Sequence, residues 1–280
     1  MTRSKALPKS NKYARWYVWS PALLIILAIL VSTQISREQT HTDLPNDLAI
    51  VELRIDNANS YLVYDRANLK HAILIDLGMP ENAELLAKRI IKAGVDPADL
   101  DAAIITHGHY DHAGGAQYFQ ETFGTRLIAG EGDRRPIETG EELAVCPTNI
   151  MGQIIASESA SPGTWTSKPD VYVEARYDLS DISAISGEVV ALPGHTPGSV
   201  IVNIGDAVFV GDQVRGKIFG SGPALHFFMC DQQDNLHDLG AILTRLSPDA
   251  TRVFPGHLSG FSRDQLHRYV KRRSARSTRD

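Results

Sequence analysis

The chain has 280 residues, of which 43% are hydrophobic and 22% charged, an ordinary globular composition. That length supports a sizeable core without extra cross-links. A formal net charge of -5 gives nucleic acid no general electrostatic foothold.

The N-terminal 15 residues carry Arg3, Lys5, Lys9, Lys12 and Arg15 and no acidic residue. An apolar run follows from Trp16 to Val31 and then stops at Ser32, Thr33 and Gln34. A basic flank ahead of an apolar run has the shape of a signal peptide or signal anchor. Trp16, Tyr17 and Trp19 extend the run at the level expected of an interfacial belt. No small-x-small cleavage frame follows Val31, which favours an uncleaved anchor over a cleaved peptide. The expected organisation is therefore a basic cytoplasmic arm over 1–15, a membrane anchor or signal segment over 16–33, a polar linker over 34–47 and a catalytic domain over 48–280. By the positive-inside rule the catalytic domain is expected outside the cytoplasm, anchored to the membrane, or secreted if the segment is cleaved.

In the domain itself, residues 49–55, 61–64 and 71–77 are expected as strands. Residues 81–93 form a helix, with Leu85, Leu86, Ile90 and Ile91 at helical spacing and Gly94 as its stop. The apolar stretch 102–106 is a strand, 114–123 a helix and 125–129 a strand. Residues 131–170 are rich in Gly, Pro, Ser and Thr and read as an irregular connection of the kind that forms lids. Strands are expected over 171–173, 188–192, 199–204 and 207–210, and helices over 235–246 and 263–270. This alternation implies a layered α/β fold. Cys146 and Cys230 stand outside any CxxC pair and either form one disulfide or stay free. The sequence is silent on oligomeric state.

The densest chemical signal is Thr106-His107-Gly108-His109-Tyr110-Asp111-His112. Imidazole nitrogens and a carboxylate at the end of an apolar strand are the ligand types that Zn²⁺ takes. Alternate residues can point to two neighbouring ions. Three further candidates each follow a glycine near a strand end: His195 in Pro193-Gly194-His195, Asp212 in Gly211-Asp212 and His257 in Pro255-Gly256-His257. Glycine permits close backbone approach or a positive φ that aims the next side chain. Asp76 and Thr106 are candidates for hydrogen bonds that orient the ligand histidines.

Taken together, His107-x-His109-x-Asp111-His112, Pro193-Gly194-His195-Thr196-x-Gly198-Ser199, Gly211-Asp212 and Pro255-Gly256-His257 resemble the metallo-β-lactamase superfamily over nearly all of the chain after the linker. The resemblance implies a four-layer αβ/βα sandwich, which would follow the apolar helix expected at the N-terminus. It implies one metal on His107, His109 and His195, a second on Asp111, His112 and His257, and Asp212 bridging them. Two Zn²⁺ per chain are expected, with iron or manganese as alternatives, and Asp111 has a second, catalytic role in orienting the nucleophile. Asp212 makes the chain similar to glyoxalase II, lactonases and related esterases. The expected reaction is cleavage of an ester, thioester or lactone in a small-molecule substrate. A β-lactamase-like amide hydrolase and a persulfide dioxygenase with one iron are the alternatives. His109, being histidine rather than glutamate, argues against the di-iron flavoprotein branch. Tyr110, Arg215, Lys217 and His226 are the candidate substrate contacts, the last three for an anionic group.

Overall fold

The structure, a computed structural model, describes residues 40–55, 58–158 and 165–277. Seven strands form the first sheet: β1 (Thr40–Asp43), β2 (Leu48–Ile55), β3 (Ala58–Asp65), β4 (Ala72–Ile75), β5 (Leu100–Ile104), β6 (Leu127–Gly130) and β7 (Val171–Val173), paired in chain order. Pairing is antiparallel from β1 to β4 and parallel from β4 to β7. The second sheet contains β8 (Arg176–Asp178), β9 (Gly187–Ala191), β10 (Val200–Ile204), β11 (Ala207–Gly211), β14 (Arg252–Pro255) and β15 (Phe261–Ser262), ordered β15-β14-β11-β10-β9-β8. A short hairpin, β12 (Arg215–Gly216) with β13 (Pro223–Ala224), stands apart.

Side-chain alternation explains why the sheets stack. Successive residues of a strand face opposite sides. In β2, Ile50 enters the core between the sheets while Ala49, Val51 and Leu53 face the outer core. In β11, Ala207 and Phe209 face the first sheet while Val208 and Val210 turn the other way. Strands buried on both faces read as continuous apolar runs, which is why 102–106 and 207–210 stand out in the sequence.

Helix α1 (Ala83–Lys92) buries Ala83, Leu86, Ala87 and Ile90 on one face. Together with α3 (Ala116–Phe123) it covers the first sheet, with α2 (Tyr110–Ala113) as a single turn between them. Helices α4 (Arg134–Thr139) and α5 (Ile150–Glu158) lie in the stretch expected to be irregular. Helix α6 (Gln232–Ala241), continued by a π turn over Ile242–Leu246, and α7 (Arg263–Ser277) cover the second sheet. The result is the expected four-layer αβ/βα sandwich.

The N-terminal expectations need correction. The basic arm over 1–15 and the apolar segment over 16–33 lie outside the described residues. No helix among the described residues is long and apolar enough to cross a membrane. The longest, α7, has 15 residues and is strongly basic, whereas a span needs about 20 apolar ones. Membrane anchorage and the location drawn from it are therefore withdrawn. Residues 40–43, placed in the linker by their polarity, form β1 on the edge of the first sheet. Cys146 and Cys230 pair as a disulfide.

Candidate metal centre

The ligand candidates come together because strands of both sheets end at one edge of the sandwich. Strand β5 runs into the loop carrying His107 and His109, and α2 presents Asp111 and His112. His195 follows β9, Asp212 follows β11 and His257 follows β14. The two sheets are tied at this edge, where Val200 N donates to Thr106 O at 2.8 Å and Asn59 N to Gly256 O at 2.7 Å.

Two of the glycines noted beforehand serve as anticipated. Gly211 has φ +49°, and a Cβ there would sit 2.7 Å from Thr106 Oγ1. At Gly256 a Cβ would lie 2.3 Å from Asp212 Oδ1 and 2.7 Å from His112 Cε1. Any larger residue would displace Thr106 at the first place and the candidate ligands Asp212 and His112 at the second.

Asp212 is the hub. Its Oδ2 lies 3.1 Å from His226 Nε2, 3.2 Å from His257 Nε2, 3.5 Å from His112 Nε2, 3.7 Å from His107 Nε2 and 3.8 Å from His195 Nε2. Imidazole pairs close around it, with His109 Nδ1 3.2 Å from His195 Nε2 and His112 Nε2 3.3 Å from His257 Nε2. Asp111 Oδ2 is 3.5 Å from His257 Nε2 and 3.8 Å from His112 Nε2. Three groups have ligand atoms all within 4.8 Å of one another: His107, His109, His195 and Asp212; Asp111, His112 and His257; and Asp212, His226 and His257.

Neighbouring side chains orient the imidazoles. Asp76, buried at the end of β4 with φ +60°, accepts from Thr106 N at 2.8 Å and Thr106 Oγ1 at 2.9 Å, and meets His112 Nδ1 at 2.8 Å. A carboxylate there holds the proton on Nδ1 and leaves the His112 Nε2 lone pair facing the centre. Thr106 Oγ1, its own proton committed to Asp76, accepts from His107 Nδ1 at 3.1 Å. The His107 Nε2 lone pair is thereby aimed inward. Both roles match those expected of Asp76 and Thr106.

Burial sets the charges. It pushes His107, His195 and His109 below the ordinary histidine range, and His226 down to about 4. These imidazoles are neutral, the form a metal requires. At His112 and His257 burial acts the same way, but the carboxylates of Asp212 and Asp111 outweigh it and raise both. Burial would lift the Asp212 carboxyl, yet the surrounding imidazoles hold it well below the carboxylate range. A buried anion ringed by imidazole nitrogens, with His107 Nε2, His109 Nε2 and Asp212 Oδ1 buried and without a hydrogen-bond partner, fits a divalent cation set.

The candidate substrate contacts scatter. His226 is buried in the centre itself. Tyr110 is half-buried and packs against the outer core of the first sheet. Arg215 stacks its guanidinium 4.0 Å from the centre of the Phe227 ring, donates to Gly216 O and feels the Tyr269 phenol of α7. Lys217 is exposed just after β12, where its N–H donates to Gly222 O at 3.0 Å, and no hydrogen bond or ion pair joins it to the ligand groups among the described residues.

One residue escaped notice in the sequence. Asp133 is fully buried and accepts from Gly108 N at 2.8 Å, Gly198 N at 2.8 Å and Thr196 Oγ1 at 2.6 Å. It therefore joins the His107–His109 loop to the His195 loop. The available signal was a Gly132-Asp133 pair shortly after an apolar strand, the same pattern that marks Asp212.

Comparison with known proteins agrees with this geometry. The sequence profile described as the metallo-beta-lactamase superfamily matches residues 53–257. A probable metallo-hydrolase of Methanocaldococcus jannaschii is 23% identical, over 72% of this chain and 87% of its own. A hydroxyacylglutathione hydrolase of Haemophilus influenzae is 26% identical, over 75% of this chain and 90% of its own. Among solved structures, a subclass B3 metallo-beta-lactamase of Bradyrhizobium japonicum shares the fold with a TM-score of 0.56 at 20% identity, over 81% of each chain. From the motif order, the sandwich and the convergent His/Asp cluster, together with the profile match, this chain belongs to the metallo-beta-lactamase superfamily of metal-dependent hydrolases.

Proposed function

We propose that this protein is a binuclear zinc hydrolase that cleaves an ester, thioester or lactone in a small-molecule substrate. The observation that carries the reading is Asp212, one buried carboxylate shared by two facing sets of histidines. His107, His109 and His195 would hold one ion, Asp111, His112 and His257 the other, and Asp212 both. The hydroxyacylglutathione hydrolase relative supports a thioester within that substrate class. When bound, a pair of divalent ions supplies Lewis acidity and brings the pKa of water towards about 7.

The chain's own residues then have separable tasks. Asp111 has a side chain 15% exposed where Asp212 is 3% exposed, so it is the carboxylate that faces incoming solvent. It orients the attacking water as a hydrogen-bond acceptor. Asp76 and Thr106 keep His112 and His107 in the tautomers that present Nε2 inward. Asp133 keeps the two ligand loops in register.

The test is metal analysis of the purified protein, followed by turnover of thioester, lactone, phosphodiester and β-lactam substrates. The reading expects about two zinc per chain and turnover of a thioester, lactone or ester. Chelation should abolish that activity and zinc should restore it. One iron per chain with oxygen consumption would replace the reading with a dioxygenase.

A further inference from the structure

His226 lies outside the four motifs that carry the family resemblance, yet the fold places it among the ligands. It is 3% exposed, its Nε2 is 3.1 Å from Asp212 Oδ2, and its ring centre is 5.2 Å from that of His257 and 5.3 Å from that of His195. Its ligand atom lies within 4.8 Å of those of both Asp212 and His257.

The segment that carries His226 is held in place from outside the centre. Thr148 Oγ1 donates to His226 O at 2.7 Å and Thr148 N to Phe227 O at 2.8 Å. Met229 N donates to Cys146 O at 2.9 Å, and the Cys146–Cys230 disulfide closes the same join. Fixing both sides of a side chain's backbone is how a fold presets a ligand before its ion arrives. His226 Nδ1 stands 3.0 Å from Phe228 O and 3.2 Å from Phe228 N, so the Phe228 backbone holds the ring whichever imidazole nitrogen carries the proton. A metal-binding imidazole commonly has its other nitrogen anchored from outside the site, and here Nε2 is the nitrogen that faces Asp212.

We infer that His226 is an additional metal ligand, binding through Nε2 the ion that Asp212 shares with His257. The inference rests on the two-ion reading above. With Asp212 and His257, His226 forms one set of mutually close donors, beside the set of Asp111, His112 and His257. A further imidazole adds to the three protein donors that usually accompany an open zinc position. A site of this kind should hold its ion against exchange and accept iron or manganese more readily than its neighbour does.

The experiment uses full-length protein and cadmium as the probe. In ¹¹³Cd-loaded, ¹⁵N-labelled wild-type protein, His226 Nε2 should show one-bond coupling to cadmium. In zinc competition with a chromophoric chelator, His226→Ala and His226→Gln should weaken one of two ions by about 10–100-fold and leave the other unchanged. Absence of the coupling overturns the inference. In that case a loss of affinity in the variants would mean that Nε2–H donates to Asp212 instead. Because the coupling is read in the wild type, a variant that misfolds does not decide the matter. Failure of the wild type to take up a pair of ions would instead overturn the two-ion reading, and the inference with it.

Discussion

The first sheet delivers four candidate ligands, His107, His109, Asp111 and His112, from one stretch after β5. The second delivers His195, Asp212 and His257 one at a time after β9, β11 and β14. The two sides are also held differently. The contiguous side is braced by side chains, with Asp76 bonded to Thr106 and His112. On the dispersed side the backbone is braced, with Asn59 Nδ2 donating to Pro255 O at 3.0 Å and Leu258 O at 2.7 Å, and Tyr61 Oη to Pro255 O at 2.7 Å. Asp133 spans the two. A single loop can be aimed by a few polar side chains. Ligands arriving on separate strands depend on strand register, and only the stacked sheets supply that.

The contrast can be broken at its hub. Asp212→Ala removes the carboxylate common to both sides and should lower kcat/KM by about a thousandfold or more, since several kcal/mol of charge stabilisation go with the ions. Steady-state kinetics and metal analysis read this together, and near-normal turnover would refute the shared role. Asp133→Ala leaves the amides of Gly108 and Gly198 buried without their acceptor. It should cost about 3–5 kcal/mol of stability, measured by denaturant unfolding of the metal-free protein.

Smaller changes sharpen the contrast. Cys146→Ser with Cys230→Ser opens a link between residues 84 positions apart and should cost about 2–4 kcal/mol. If His226 is a ligand, the same double variant should also weaken the ion that His226→Ala weakens. Asp76→Asn retains the volume but loses the charge that holds the His112 proton. It should reduce metal affinity by about 10–100-fold by acting on the contiguous side alone. Lys217→Ala, an exposed side chain just after β12, should change stability by less than about 0.5 kcal/mol. Any effect on KM would place a substrate group near that hairpin.

Much of the architecture was legible beforehand because its signals are local. The apolar runs 102–106 and 207–210 announced strands buried on both faces, and Leu86 and Ile90 announced the inner face of α1. Expected boundaries moved by a few residues at most elements. Short pieces were missed for physical reasons. Strand β1 (Thr-His-Thr-Asp) is polar because it lies exposed on a sheet edge, and α5 leaves Ile150 and Ile154 largely exposed, so neither follows an amphipathic pattern. Arg215 and Lys217 looked alike as cations near Asp212, but hairpin geometry sent one against Phe227 and the other to solvent.

Sequence alone was enough to identify the family and a candidate ligand set. A run of His107, His109, Asp111 and His112 after an apolar strand, with three glycine-led candidates following in order, specifies which atoms are available, because ligand type and local spacing are covalent properties of the chain. Tertiary structure decided which distant groups meet: Asp133 clamping two loops, Cys146 reaching Cys230, and His226 standing 3.1 Å from Asp212. Those contacts join residues from 14 to 84 positions apart and arise only when two sheets pack with one register, which no local pattern encodes.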